Sequence, residues 1–171
     1  MESTQFNQHI LSCSDQLFRL AKSILRNGEA AQDAVQELIL KLWEKRMQLD
    51  EVENIRAFAM KSMRNLCLDI IRQDKGEDEL PMDLEYAERN PYQEIEQKNM
   101  ASRIRGLIDQ LPELQRTIIR MRDVEGMEIG EIAFVTSLNE NAVSVNLSRA
   151  RQKIREQVIR EQKRVEETVW K

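Results

Sequence analysis

Long apolar runs are missing from this chain of 171 residues, and its first ten, MESTQFNQHI, are polar. Neither a secretory leader nor a membrane-spanning helix is expected, and a cytoplasmic location is. Glycine and proline are scarce, at five and three, and β-branched runs are few. That disfavours turn-rich sheet architectures and points to an all-α fold. Aromatics make up only 5% of residues against 41% hydrophobic overall, enough for a modest helical core. Cysteine is limited to Cys13 and Cys67, far apart and without a CxxC pair, and His9 is the one histidine. These cannot assemble a metal site or a disulfide framework, so both thiols are expected to be small buried groups. A nucleophile–base pair, a phosphate-cradling glycine loop and a metal set are lacking, so neither enzymatic activity nor a cofactor is expected.

Net positive charge is lacking too. The formal charge is −4 and the pI about 5.3, unlike the basic footprint of most nucleic-acid binders. The acidity is unevenly spread. Residues 74–97, DKGEDELPMDLEYAERNPYQEIEQ, hold nine acids against two cations, with Gly76, Pro81 and Pro91 and no helical period. This stretch reads as a flexible acidic linker. Setting its −7 against the total of −4 leaves +3 for the two flanking segments. Extended at about 3.3 Å per residue, it would span tens of ångströms, so the halves need not touch. The expected organisation is two small helical domains, 1–73 and 98–171, joined by residues 74–97.

In the first domain, Phe6, Ile10, Leu17, Phe18, Ala21, Ile24 and Leu25 fit one or two amphipathic helices that stop at Asn27-Gly28. A helix from about Glu29 to Arg46 buries Val35, Leu38, Ile39 and Leu42. Its other face carries Asp33, Gln36, Glu37, Lys41 and Glu44, with Leu40 and Trp43 beside them. Such a face is either plainly solvated or a docking surface for a basic helical partner, with Trp43 as an exposed aromatic. The loop QLDEVE follows. Asn54 then caps a helix to Arg72 with core positions Ile55, Phe58, Ala59, Met63, Leu66 and Ile70. Its polar side, Arg56, Lys61, Arg64, Asn65, Asp69 and Arg72, is either solvated or suited to tracking phosphates with an amide left for a base.

The second domain starts with a helix near Gln97 and breaks at Leu111-Pro112. A helix Glu113–Arg122 follows, then the turn Asp123–Gly126. From Gly126 to Arg155 the sequence reads as two helices joined by a tight turn. Ile129, Ile132, Ala133 and Val135 form the first apolar stripe, and Asn139 caps the second helix. In that helix Val143, Leu147, Ala150 and Ile154 share a buried face. Asn141, Ser144, Val145, Ser148, Gln152 and Arg155 lie opposite, flanked by Arg149, Arg151 and Lys153. Short polar groups early and cations late suit a helix whose first turns enter a major groove. The stretch is read as a DNA-binding helix-turn-helix, with an ordinary helical hairpin as the alternative.

The segment LPELQRTIIRMRDVEGMEIGEIAFVTSLNENAVSVNLSRARQKIRE resembles, nearly end to end, the −35-reading domain of bacterial RNA polymerase sigma factors of the extracytoplasmic-function group. DAVQELILKLWEKR and NIRAFAMKSMRNLCLDIIR are similar to that family's −10-binding domain. The resemblance implies an alternative sigma factor that binds core RNA polymerase and promoter DNA. Asp33, Gln36, Glu37, Leu40, Lys41 and Glu44 would then dock on the polymerase clamp helices. Lys61, Arg64 and Arg72 would hold −10 strand phosphates, with Asn65 at an unstacked base. The linker would thread the polymerase's RNA path. Asn141, Ser144, Val145 and Ser148 would face −35 bases, with Arg149, Arg151 and Lys153 on backbone or base edges. An anti-sigma factor as regulator and a monomeric free state are also implied. The family usually has glycine where Ser137 stands, and its recognition helix commonly carries more charge. The rival reading is a dimeric helix-turn-helix regulator with palindromic operators.

Overall fold

The computed structural model describes residues 2–75 and 100–169; most of the acidic linker and Trp170 lie outside them. The described residues are helical, with no strand among them. The amphipathic N-terminal pattern resolves into three pieces: α1 (Ser3–His9), a 3-10 turn (Leu11–Cys13) and α2 (Ser14–Leu25). Phe6, Ile10, Leu17 and Ala21 point inward from all of them. The stop at residues 26–28 is shared by two helices. Arg26 closes α2 in the left-handed conformation at φ 55°, and Asn27 opens α3 (Gly28–Glu44). The Asn27 side chain accepts the backbone N–H groups of Glu29 and Ala30 at 2.9 and 3.1 Å. Asn27-Gly28 is therefore a start signal, and the helix ends one residue earlier.

The acidic loop after α3 is a 3-10 turn, Arg46–Glu51, pinned by buried Leu49. Asn54 Oδ1 accepts the Ala57 N–H at 2.9 Å, and α4 (Ile55–Lys75) runs from there. Its buried side is Ala57, Ala59, Met60, Met63 and Cys67, while Ile55, Phe58, Leu66 and Ile70 are half-buried. Apolar burial therefore wraps further around α4 than a single amphipathic stripe. α4 ends at Lys75, so the first two residues assigned to the linker continue the helix.

The second half comprises α5 (Met100–Asp109), α6 (Glu113–Ile119), a π-helical turn (Arg120–Val124), α7 (Ile129–Thr136) and α8 (Glu140–Val169). Pro112 is the residue flanking the start of α6, where its missing N–H costs nothing. Gly126 takes φ 67° in the turn before α7, and Ser137 takes φ 58° between α7 and α8. Asn139 caps α8 by accepting the Ala142 N–H at 2.7 Å. At 30 residues α8 is about 45 Å long, so the tail beyond Arg155 extends the same helix that begins at Glu140.

The halves touch, although the length of the linker does not require it. α4 packs along α7, and α2 packs against α6. Buried apolar residues from Phe6 to Ala150 form one continuous cluster. A linker sets how far two domains can part; apolar faces left over on each domain decide whether they do.

Candidate nucleic-acid interface

Three faces carry the side chains singled out by the sequence. The first is on α3. Asp33, Gln36, Glu37, Leu40, Lys41 and Glu44 are all exposed, because the helix turns Ala31, Ala34, Val35, Leu38 and Leu42 inward. Lys41 Nζ lies 2.6 Å from Glu37 Oε1, an i,i+4 pair that lowers the net charge of the patch. Trp43 is not the exposed aromatic expected here. It meets Phe6 edge-on, with centroids 5.1 Å apart, and Arg46 covers its ring at 4.4 Å. The apolar contribution comes instead from Leu40, 63% exposed, and from Met47, 70% exposed, which the sequence reading did not single out. Met47 falls in the 3-10 turn, outside the helical period that identified the others.

The second face is on α4. Asn65 and Arg72 are exposed, and Arg72 Nη1 sits 3.2 Å from Asp69 on the same helix. Lys61 and Arg64 are turned toward the other half. The Lys61 ammonium lies 4.3 Å from the centre of the Phe134 ring on α7. Arg64 Nη2 lies 3.4 Å from Glu113 Oε2 at the start of α6, and its Nε is buried without a hydrogen-bond partner. Nearby, Arg56 donates to Gln16 Oε1 at 2.8 Å and to the Glu125 carbonyl at 3.0 Å. Arg19 grips the Glu125 carboxylate through Nε and Nη2 at 2.7 and 2.9 Å. That bidentate contact raises the Arg19 pKa further. Glu113, Glu125, Glu131 and Phe134 thus complete this face from the second half. No local sequence signal reveals these cross-chain contacts, because the partners of the three carboxylates are 49 to 106 residues away.

The third face is on α8. Val143, Leu147 and Ala150 are buried, which leaves Asn141, Ser144, Val145, Ser148, Arg149, Arg151 and Lys153 exposed along one side. The Asn146 amide is spent on the Ala142 carbonyl at 2.9 Å. Arg151 differs from its neighbours: both Nε and Nη2 bond the carboxylate of Asp123 in the π-helical turn, and that contact raises its pKa. Arg149 and Lys153 make no ion pair among the described residues. An open groove beside Ser144, Ser148, Arg151 and Arg155 continues the face toward the helix end.

Beneath these faces lie groups with structural duties. Arg116 is 4% exposed and donates to the Leu111 carbonyl at 2.8 Å. Burial pulls its pKa down to about 10, which leaves it charged at neutral pH. Cys13 and Cys67 are buried free thiols, as expected; burial raises both, Cys67 to about 12. No cluster of potential metal ligands occurs among the described residues, and no helix there is long and apolar enough to cross a membrane.

Known families match both halves. Residues 10–77 match the family description "Sigma-70 region 2" and residues 101–154 match "Sigma-70, region 4". The sigma factor SigV of Bacillus subtilis is 29% identical over 148 residues, covering 84% of this chain and 85% of its own. SigE of Mycolicibacterium smegmatis, described as an ECF RNA polymerase sigma factor, is 24% identical over 84% of this chain and 57% of its own. Among solved structures, RpoE bound to the anti-sigma factor NepR from Bartonella quintana superposes with a TM-score of 0.68 at 19% identity. It covers 89% of this chain and 95% of that one. CnrH in complex with the cytosolic domain of CnrY gives 0.65 at 20% identity, over 92% of this chain and 89% of that one.

Proposed function

Since the chain belongs to the sigma-70 family, as an alternative sigma factor of the extracytoplasmic-function group that directs RNA polymerase to promoters, we propose how its three faces divide that task. Residues 1–73 form the domain that meets polymerase and the −10 element, residues 74–97 the connecting segment, and residues 98–171 the domain that meets the −35 element. Asp33, Gln36, Glu37, Leu40, Lys41 and Glu44 dock on the polymerase clamp, with Leu40 as the apolar anchor inside a polar rim. Lys61, Arg64 and Arg72 hold the phosphates of the separated −10 strand, and Asn65 reads an unstacked base. Asn141, Ser144, Val145 and Ser148 face −35 base edges, with Arg149 and Lys153 on the backbone.

The observation that carries this reading is the α8 face, where burial of Val143, Leu147 and Ala150 leaves short polar side chains and cations displayed on one open side. The protein performs no chemistry of its own and works in the cytoplasm, where polymerase is. Each DNA contact is weak because the chain is net acidic; joined on polymerase, the two act at high effective concentration. Run-off transcription with core polymerase on fragments of the source genome tests it. Discrete new starts, lost on replacing Asp33 and Glu37 together, are expected. No transcripts, and no co-elution with core, would refute the assignment.

A further inference from the structure

We propose that the outer half of α8 is a cationic ridge that holds and bends the duplex flanking the −35 element, with Arg155, Arg160 and Lys163 on its phosphates. The inference rests on the assignment of the first turns of α8 to a major groove. Residues after 154 lie outside the segment matched to sigma-70 region 4. Charge is sorted across this part of the helix. Glu161 meets α5, where Arg103 Nη2 donates to its Oε2 at 2.7 Å, and Glu156 accepts the Gln152 amide at 3.0 Å. Arg155, Arg160 and Lys163 are exposed and make no ion pair among the described residues. The acids thus answer groups of the protein itself, and the cations are left to solvent. Steps of three and four carry one row from Ser148 through Gln152, Arg155 and Ile159 to Lys163. An open groove follows that row from Ser144 to Ile159. Arg149, Lys153 and Arg160 form a flanking row at spacings of four and seven. Both rows begin among the residues assigned to the −35 element.

Length sets what the ridge can reach. A major groove is about 12 Å wide, and Asn141 to Ser148 covers about 10 Å of helix axis, so about two turns fill it. Lys163 lies about 22 Å beyond Ser148, past the phosphate rows that wall the groove. A straight duplex falls away from a straight helix there. Cations arrayed on one side of DNA draw the backbone toward them, and bending brings it within reach. The ridge is stiff enough to do this, because α5 packs on α8, the Arg103–Glu161 pair ties the two, and Ile154 and Val158 are half-buried. An acidic protein surface is the other chemistry that fits unpaired cations. Such an interface needs an apolar core, and Ile159 is the single exposed large apolar group between Arg155 and Arg164. A phosphate backbone needs none.

Salt-dependent binding of the full chain to a random-sequence duplex of about 20 base pairs, roughly 68 Å long, with donor and acceptor dyes on its ends, tests the ridge. Wild-type protein should raise energy transfer between the ends. Arg160→Gln with Lys163→Gln should lower the salt slope by about 2 and abolish that rise. Glutamine keeps the helix propensity of these positions, and thermal unfolding checks the fold. Glu156→Gln should bind more tightly and bend more, because it removes the one acid in the flanking row; a merely structural role gives no such gain. Lys22→Gln with Lys45→Gln, an equal charge change at exposed sites of the first half, should match wild type. A tail variant with wild-type slope and transfer overturns the ridge; if core polymerase also fails to retain it, the cations serve a protein surface instead. Arg149→Ala and Lys153→Ala separate the ridge from the −35 assignment. If they lower the slope and the tail variant does not, the ridge falls and the assignment stands. If only the tail variant lowers it, the groove assignment of the first turns falls and the tail holds DNA by itself. Absence of duplex binding by the wild-type chain, even at low salt, removes both.

Discussion

Asn54 and Glu131 join the starts of two helices that belong to different halves of the chain. Asn54 Oδ1 accepts the Ala57 N–H that begins α4, and its Nδ2 donates to Glu131 Oε1 at 2.7 Å. Glu131 Oε2 in turn accepts the Glu128 N–H at 2.8 Å, closing the capping box of α7. One amide thus serves a local and a long-range role, and substitutions separate them. Asn54→Asp keeps the cap acceptor but sets a second carboxylate against Glu131, so the halves should part while α4 keeps its stability. Asn54→Ala loses both, at about 1 kcal/mol for the cap. Small-angle scattering should show a larger radius for both variants, and thermal unfolding should separate them, with the alanine variant lower. An unchanged radius for Asn54→Asp would remove this bond from the closing contacts.

The pH dependence of that contact follows from Glu131. The Glu128 N–H lowers its pKa most, burial opposes this, and the Asn54 amide lowers it further. Its folded value therefore lies below the unfolded value of about 4.3. Its contribution to stability is fully present above that unfolded value and is lost as pH falls through the folded one. Acid titration should open the halves in that window, and Glu131→Gln should flatten that part of the profile. Fluorescence transfer between labels on the two halves would follow it.

The helices were legible from sequence because their signals are local: Asn54 and Asn139 cap where expected, and Val143, Leu147 and Ala150 are buried at the predicted spacing. The union of the halves was not. Phe134 reads as one more apolar residue of α7, and only the tertiary structure sets it on Lys61. Trp43 shows the same limit in reverse. Its helical position faces the exposed patch, yet Phe6, from a helix 37 positions earlier, withdraws it. Glu113 and Glu125 stand in recognisable local stretches, LPELQR and the Asp123–Gly126 turn, yet a carboxylate that pairs across more than forty residues leaves no trace of its partner in spacing.

Ser137 occupies a left-handed position at φ 58°, where the family usually has glycine. A Cβ there costs about 1–2 kcal/mol, partly offset by the greater freedom glycine brings to the unfolded chain. Ser137→Gly should therefore stabilise the second half by about 0.5–1 kcal/mol. Gly126, at φ 67° with open space around it, is the converse. Gly126→Ala should cost about 1 kcal/mol from backbone strain alone. Urea unfolding of both variants checks the pair; the same sign for both would contradict the backbone argument.

Arg116 lies in LPELQR, the start of the segment that resembles the −35-reading domain, and proves to be an interior strut. Its guanidinium bonds the Leu111 carbonyl at the break between α5 and α6, with Nε left unpartnered. Arg116→Ala should cost about 1.5–3 kcal/mol, the range for a hydrogen bond to a charged group. Arg116→Lys should rescue little, because a point charge on a flexible stem cannot reproduce the planar fork. Denaturant midpoints give both values. A variant as stable as wild type would mean that water replaces Arg116 at the Leu111 carbonyl.

Arg149, Arg151 and Lys153 share one flank of α8, and the sequence gives them one role. The structure separates them. Arg151 is held by Asp123 through two hydrogen bonds, one from Nε at 3.1 Å, whereas Arg149 and Lys153 are exposed and make no ion pair among the described residues. A cation already paired to a carboxylate releases fewer counterions when DNA arrives. Replacing Arg149 or Lys153 by alanine should each reduce the salt slope of −35 duplex binding by about 1. Arg151→Ala should change the slope less and lower the melting temperature of the second half, because it frees the turn that carries Asp123. Asp123→Asn supplies the cross-check: it should steepen the salt slope in the wild-type background by releasing Arg151, and do nothing once Arg151 is alanine. Equal slopes for all three cation variants would return Arg151 to the phosphate-contacting set.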